Sequence, residues 1–229
     1  MLETAEARWP LDELIRSHLS TRARGQVGVT VLTRIPSALA DLIPFRGREE
    51  AVVRAMRDMH EVDLPLAPRR IQGSRLACTW AGPGRWFLES NALATQPDPL
   101  EQLEQRLAGS AALVRQTDAR ALLRMSGPKV REALRKGLAI DLHPRSFGPG
   151  NAAITLITGI DVLLWQLDEV PTFELVINRS VVGSFWDWLT VAAAEFGVEY
   201  GAVDFGDAAV RGQVAQTMAG TMNARREIV

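Results

Sequence analysis

The order in which apolar periodicities change along this chain limits its fold more than any single motif does. Segments with alternating apolar residues, the mark of half-buried strands, interleave with segments whose apolar residues recur every three or four positions, the mark of helices. Val27, Val29 and Val31 predict a strand over 26–32. Pro36 and Pro44 make 35–45 irregular. Val52, Val53, Met56 and Met59 form a helical stripe within 48–60. A strand over 71–80, a Gly82-Pro83-Gly84 turn and a returning strand over 85–88 read as a hairpin. Asp98 then caps a helix that starts with Pro99 and buries Leu100, Leu103 and Leu107. A short strand over 111–116 follows.

The second half comes close to repeating this order. Strands are predicted over 121–125, 152–157, 162–167 and 173–177, with a helix over 129–136 after the first of them. A closing helix over 181–196 carries Phe185, Trp188, Leu189, Ala192 and Phe196 as its stripe, and a short strand follows near Val198. Strand, helix, two strands, helix, strand is the split βαβ order of a ferredoxin-like unit. The expected fold is therefore α+β: duplicated ferredoxin-like units, with antiparallel sheets and helices packed on one face of each. The halves span 25–118 and 119–200. Ahead of them, 1–24 reads as an arm with Leu11, Leu14, Ile15 and Leu19 on one helical face. Behind them, 201–229 reads as a tail, disordered or a partner-bound helix over 207–222.

Charge and composition exclude several functions. The net charge of −1 supplies no field for nucleic acid or an anionic membrane surface. No apolar run reaches the ~18 residues of a membrane span, and the polar first residues predict a cytoplasmic protein. The single cysteine, Cys78, can form neither an internal disulfide nor a cysteine metal cluster. His18, His60 and His143 are far apart and read as surface or loop residues, so no zinc set assembles.

Ser126-Gly127-Pro128 joins a strand to a helix, a place where anions bind. The glycine pattern of a nucleotide site is missing, and Ser126 as cap with Pro128 in the first turn explains the sequence. Asp141 reads as the cap of a turn and Asp168-Glu169 as a hairpin turn. Asp161, between two apolar runs, is the one weak acid candidate. No other catalytic, cofactor-binding or metal-binding residue is expected. Six tryptophans accompany one tyrosine, and large aromatics anchor contacts between proteins. Trp86, Arg179 and Trp186 are the candidate interface: with Trp188 in the core stripe, Trp186 points away from it.

Several of these pieces, taken in order, resemble the gamma subunit of heterotetrameric sarcosine oxidase. They are Trp80 to Leu88, Asp118 leading into 122–134, Gly137, Asp141-Leu142-His143-Pro144, Phe147, Leu163-Leu164-Trp165-Gln166 and 173–189. The wider relatives are the folate-dependent aminomethyltransferases of glycine cleavage, which share the Ser-Gly-Pro-type turn into a helix. The resemblance implies an aminomethyltransferase-like folate-binding-domain fold and an assembly with alpha, beta and delta subunits. That assembly would oxidise sarcosine, or a related N-methyl amine, with oxygen to glycine, hydrogen peroxide and methylenetetrahydrofolate. FAD, FMN, NAD, zinc and tetrahydrofolate would sit on the other subunits, and this chain would be structural and non-catalytic. The transferases carry their catalytic aspartate on a longer hairpin with paired glycines. Residues 157–162 are shorter and lack that pair. Asp161 thus has a folate or acid role only if the chain is an autonomous folate-binding or aminomethyl-transfer protein. A further alternative is a scaffold for a complex acting on dimethylglycine or an N-methylated proline.

Overall fold

The computed structural model describes residues 27–35, 38–90, 92, 96–200 and 204–205; the arm at 1–24 and the tail helix at 207–222 lie outside them. Twelve strands and four α-helices follow one another within that range. The first half holds β1 (Val29–Ile35), β2 (Ala38–Pro44), α1 (Glu49–His60), β3 (Arg70–Gln72), β4 (Leu76–Trp80), β5 (Trp86–Ser90), α2 (Pro99–Arg106) and β6 (Ala111–Arg115). The second holds β7 (Arg120–Ser126), α3 (Val130–Leu134), β8 (Ala152–Ile157), β9 (Ile160–Asp168), β10 (Thr172–Asn178), α4 (Val182–Ala193), β11 (Val198–Tyr200) and β12 (Asp204–Phe205).

Two sheets result. A short sheet has the order β3-β4-β5-β2-β6, and a long sheet the order β11-β1-β7-β10-β9-β8, with β12 also paired to β1. Removing the edge strand from each sheet, β3 or β8, leaves the ferredoxin-like order in both halves, with β1 inserted between β7 and β11 of the second. The strand grouped with the first half by sequence thus completes the sheet of the second. It pairs antiparallel with β7 (Thr30 opposite Ser126) and parallel with β11 (Val29 opposite Val198).

Each sheet carries two helices on one face and turns its other face to the second sheet. Leu123, Met125, Leu164, Phe173 and Leu175 bury against α3 and α4, and Leu42, Leu76, Cys78 and Leu88 against α1 and α2. Between the sheets lie Leu39 and Phe87 from one side and Leu122, Trp165 and Val176 from the other.

Local rules explain much of this. Asp98 Oδ1 accepts the Leu100 N–H at 2.9 Å, and Pro99 opens α2. Three expectations need correction. The segment expected to be irregular over 35–45 holds a strand at Ala38–Pro44: β2 lies between β5 and β6, and Pro44, at its end, needs no ladder donor. The predicted strand over 71–80 is a hairpin, β3 and β4, broken at 73–75. The turn after β7 is not capped by Ser126. Lys129 takes the cap position with no side-chain bond, and α3 is only five residues long.

Candidate functional site

Three arginines and two buried glutamates meet at the seam between the sheets. Alternation in each strand aims Arg34, Arg124, Trp165 and Glu174 of the long sheet, and Arg70 and Glu89 beside the short one, at each other. Arg34 bridges the sheets: its Nη2 lies 2.7 Å from Glu89 Oε1 and its Nη1 2.9 Å from Glu174 Oε1. Arg70 pairs with Glu89 at 2.6 Å and Arg124 with Glu174 at 2.7 Å. Trp165 donates its indole N–H to Glu174 at 3.0 Å and carries the Arg70 guanidinium 4.3 Å above its ring. Both carboxylates are buried, and each has lost its water. Such groups remain charged only when well partnered.

Burial by itself would raise the Glu89 pKa; Arg70 and Arg34 outweigh it and hold the carboxyl below the ordinary carboxylate range. A carboxylate depressed in the folded state contributes stability that is complete above its unfolded pKa of ~4.3 and is lost as pH falls through the folded value. Glu89→Gln is expected to be less stable than wild type at neutral pH. The gap should close on acidification below about pH 4.3, read by urea titrations at a series of pH values.

Beside this seam the sheets splay apart and leave a cleft of about 200 Å³, lined by Asp41, Arg85, Phe87, Arg120, Ile154, Asp161 and Asn178 among others. Asp41 is buried and held by Arg85 Nη2 at 2.7 Å and Gln116 Nε2 at 3.1 Å. Arg120 donates to Gln116 at 3.2 Å and to Asn178 at 2.5 Å. Burial lowers the Arg120 pKa from its ordinary value, Asp41 and Asp161 work against that, and Arg85 adds to it.

The four residues singled out from sequence fall in different places. Asp161 lines the cleft, exposed, opposite Leu156 on β8. It shares that cleft with Asp41, Arg85 and Arg120. Trp86 is not a surface anchor: it is buried against α1 and α2, its indole N–H donating to Pro65 O at 2.8 Å. Trp186 is also inside rather than outside. It is fully buried with its ring 4.8 Å from that of Tyr200, because the strand after α4 covers the face it points to. Trp188 is the less buried of the pair; its ring lies against Gly137, where an added Cβ would come within 2.6 Å. Arg179 is half-buried at the start of a single 3₁₀ turn and donates its backbone N–H to Ala119 O. His60, expected at the surface, is buried, and burial followed by nearby Arg75 lowers its pKa. Cys78 is buried too, its thiol pushed far up by burial.

The seam itself was missed. Its signal was a lone charge inside an apolar strand, as in Leu122-Leu123-Arg124-Met125 and Phe173-Glu174-Leu175. Among the described residues, no group of three or more His, Cys, Asp or Glu could hold a metal ion, and no helix is long and apolar enough to cross a membrane.

Two ferredoxin-like units stacked sheet to sheet, with a strand of one threaded into the other, define an aminomethyltransferase-like α+β protein. The glycine cleavage aminomethyltransferase T of Bartonella henselae shares this fold, with a TM-score of 0.57 at 17% identity, over 83% of this chain and 51% of that one. Residues 47–195 match the sarcosine oxidase, gamma subunit family, and the chain belongs to that family. The gamma subunit of Corynebacterium sp. strain U-96 is 33% identical over 138 residues, 59% of this chain and 65% of that protein, so the match spans just under two thirds of its length. The gamma subunit of strain P-1 is 26% identical over 86% of this chain and 94% of that one. In the solved heterotetrameric sarcosine oxidase from Corynebacterium sp. U-96, in complex with pyrrole 2-carboxylate, the matching chain has a TM-score of 0.70 at 27% identity. The match covers 82% of this chain and 95% of that one.

Proposed function

We propose that this chain is the gamma subunit of a heterotetrameric sarcosine oxidase and that its part in the complex is structural. The other subunits, alpha, beta and delta, carry FAD, FMN, NAD, zinc and the tetrahydrofolate site, and perform the oxidation of sarcosine to glycine, hydrogen peroxide and methylenetetrahydrofolate. The observation that carries the reading is how the buried acids are used. Glu89 and Glu174 each answer two guanidinium groups, and Arg34, held by both, joins the sheets; neither acid is left free to move a proton.

The β8–β9 connection supports the same reading. Ile157 pairs with Ile160 across a two-residue turn, Thr158-Gly159, with both residues at positive φ. So tight a hairpin has no room for the longer loop on which the related transferases present their catalytic aspartate. Asp161 is left one residue beyond the turn, within a strand ladder.

The test is to express the full chain alone and together with the other subunits. Alone, it is expected to bind no flavin or tetrahydrofolate and to turn over no sarcosine. Together, it is expected to co-purify in an equimolar complex whose flavin content and activity fall when it is left out. Flavin or tetrahydrofolate retained by the isolated chain would overturn the reading.

A further inference from the structure

The cleft beside the seam holds a guanidinium, that of Arg120, whose hydrogen bonds among the described residues go only to neutral groups. Arg34, Arg70 and Arg124 each have a carboxylate within 4 Å. Arg120, half-buried, has none among the described residues; its hydrogen bonds go to the neutral amides of Gln116 and Asn178. Asp41, which could have served it, is taken by Arg85 and Gln116. Nη2 of Arg120 has no hydrogen bond among the described residues. Asp161, lining the same cleft, makes no side-chain hydrogen bond or ion pair among them. A guanidinium loses much of its hydration on burial, so one without a counter-ion is costly unless something anionic reaches it. The lining as a whole is balanced, with Arg85 and Arg120 against Asp41 and Asp161. A ligand that fits it carries one charge of each sign.

The remaining walls set the size. Ile154 is 48% exposed at the mouth, and Phe87 and Val176 close the inner end. The volume of about 200 Å³ is below the range of roughly 300–1,000 Å³ typical of sites for drug-sized molecules.

We propose that this cleft is a binding site for a small zwitterionic amino acid, its carboxylate on Arg120 and its ammonium group toward Asp161. Its lining residues all belong to this chain, and its existence does not depend on the structural role proposed above.

Isothermal titration of the full chain with glycine, acetate and methylamine separately tests it. Glycine is expected to bind saturably, acetate more weakly and methylamine not at all. Arg120→Gln should weaken glycine and acetate by about tenfold or more. Asp161→Asn should weaken glycine about threefold and leave acetate unchanged. Because Arg120 also ties Gln116 to Asn178, Ile154→Trp is the companion variant. It plugs the mouth from an exposed position, and should abolish binding with an unchanged melting temperature. The proposal is overturned if glycine does not bind saturably. It is equally overturned if Ile154→Trp leaves glycine binding intact, or if acetate and glycine bind alike and Asp161→Asn affects neither.

Discussion

Glu174→Ala is expected to cost about 3–5 kcal/mol of folding stability, the largest loss from any single charge in the molecule. The carboxylate accepts from Arg34, from Arg124 and from the Trp165 indole, and its side chain is almost wholly buried. Truncation removes the carboxylate that Arg34, Arg124 and the Trp165 indole N–H share and leaves Arg34 to Glu89. It also removes half of Arg34's bridge between the sheets, so the damage spreads to the packing of one sheet on the other. For a chain of this length the change lowers the melting temperature by roughly 6–20 °C. The contrasting control is Arg57→Ala. Arg57 pairs with Asp63 at 2.6 Å, but both side chains are about two-thirds exposed. Its loss should fall within about 0.5 kcal/mol of zero. Parallel urea unfolding of the two variants checks both.

Gly127→Ala is expected to be nearly as severe, at about 3 kcal/mol, for a reason that lies in the backbone. Gly127 sits at φ +112°, a conformation that side chains rarely adopt, and a Cβ there would come within 2.5 Å of the Gly28 carbonyl oxygen. That carbonyl accepts the Lys129 N–H at 2.9 Å, while Gly28 N–H donates to the Phe196 and Gly197 carbonyls. Three stretches of chain therefore meet here with no side chain between them. Moving any one breaks hydrogen bonds at the start of β1 and at the entry to α3. Ser126→Ala, by contrast, should be almost silent, since Ser126 caps nothing. Thermal unfolding of the two variants separates a turn held by close backbone approach from one held by a cap.

These predictions also show which parts of the molecule were legible in its sequence. Helix starts and hairpins were, where a local rule governs them: Asp98-Pro99 opened α2, and Gly82 to Gly84 turned β4 into β5. The duplicated element order followed from periodicity alone. What failed depended on contacts distant in sequence. Pro44 hid β2, because a proline at a strand end costs no hydrogen bond. Trp186 was placed outside by helical spacing, which reports on one face and cannot know that Tyr200 returns to cover another. The seam escaped because a single Arg or Glu in an apolar strand looks like a solvated residue until its partner, on a strand distant in sequence, is in view. The cleft is the extreme case: Asp41, Arg85, Arg120 and Asp161 come from four separated segments, and only Asp161 had been noticed.

The threading of β1 between β7 and β11 governs how this chain can be assembled and dissected. Its ladders join Val29 to Val198 and Thr30 to Ser126, so the sheet cannot close until nearly the whole described chain has been synthesised. Contacts of such sequence separation carry a loop-closure cost before they repay it, which slows folding. A nascent chain emerging from the ribosome must keep this apolar strand waiting, unpaired and prone to aggregate, until its neighbours arrive. A cut near Thr117-Asp118, between β6 and β7, would give the first fragment an orphaned strand and the second a gap in its sheet. The two repeats are alike in architecture but are not separate folding units, and the molecule matures as one.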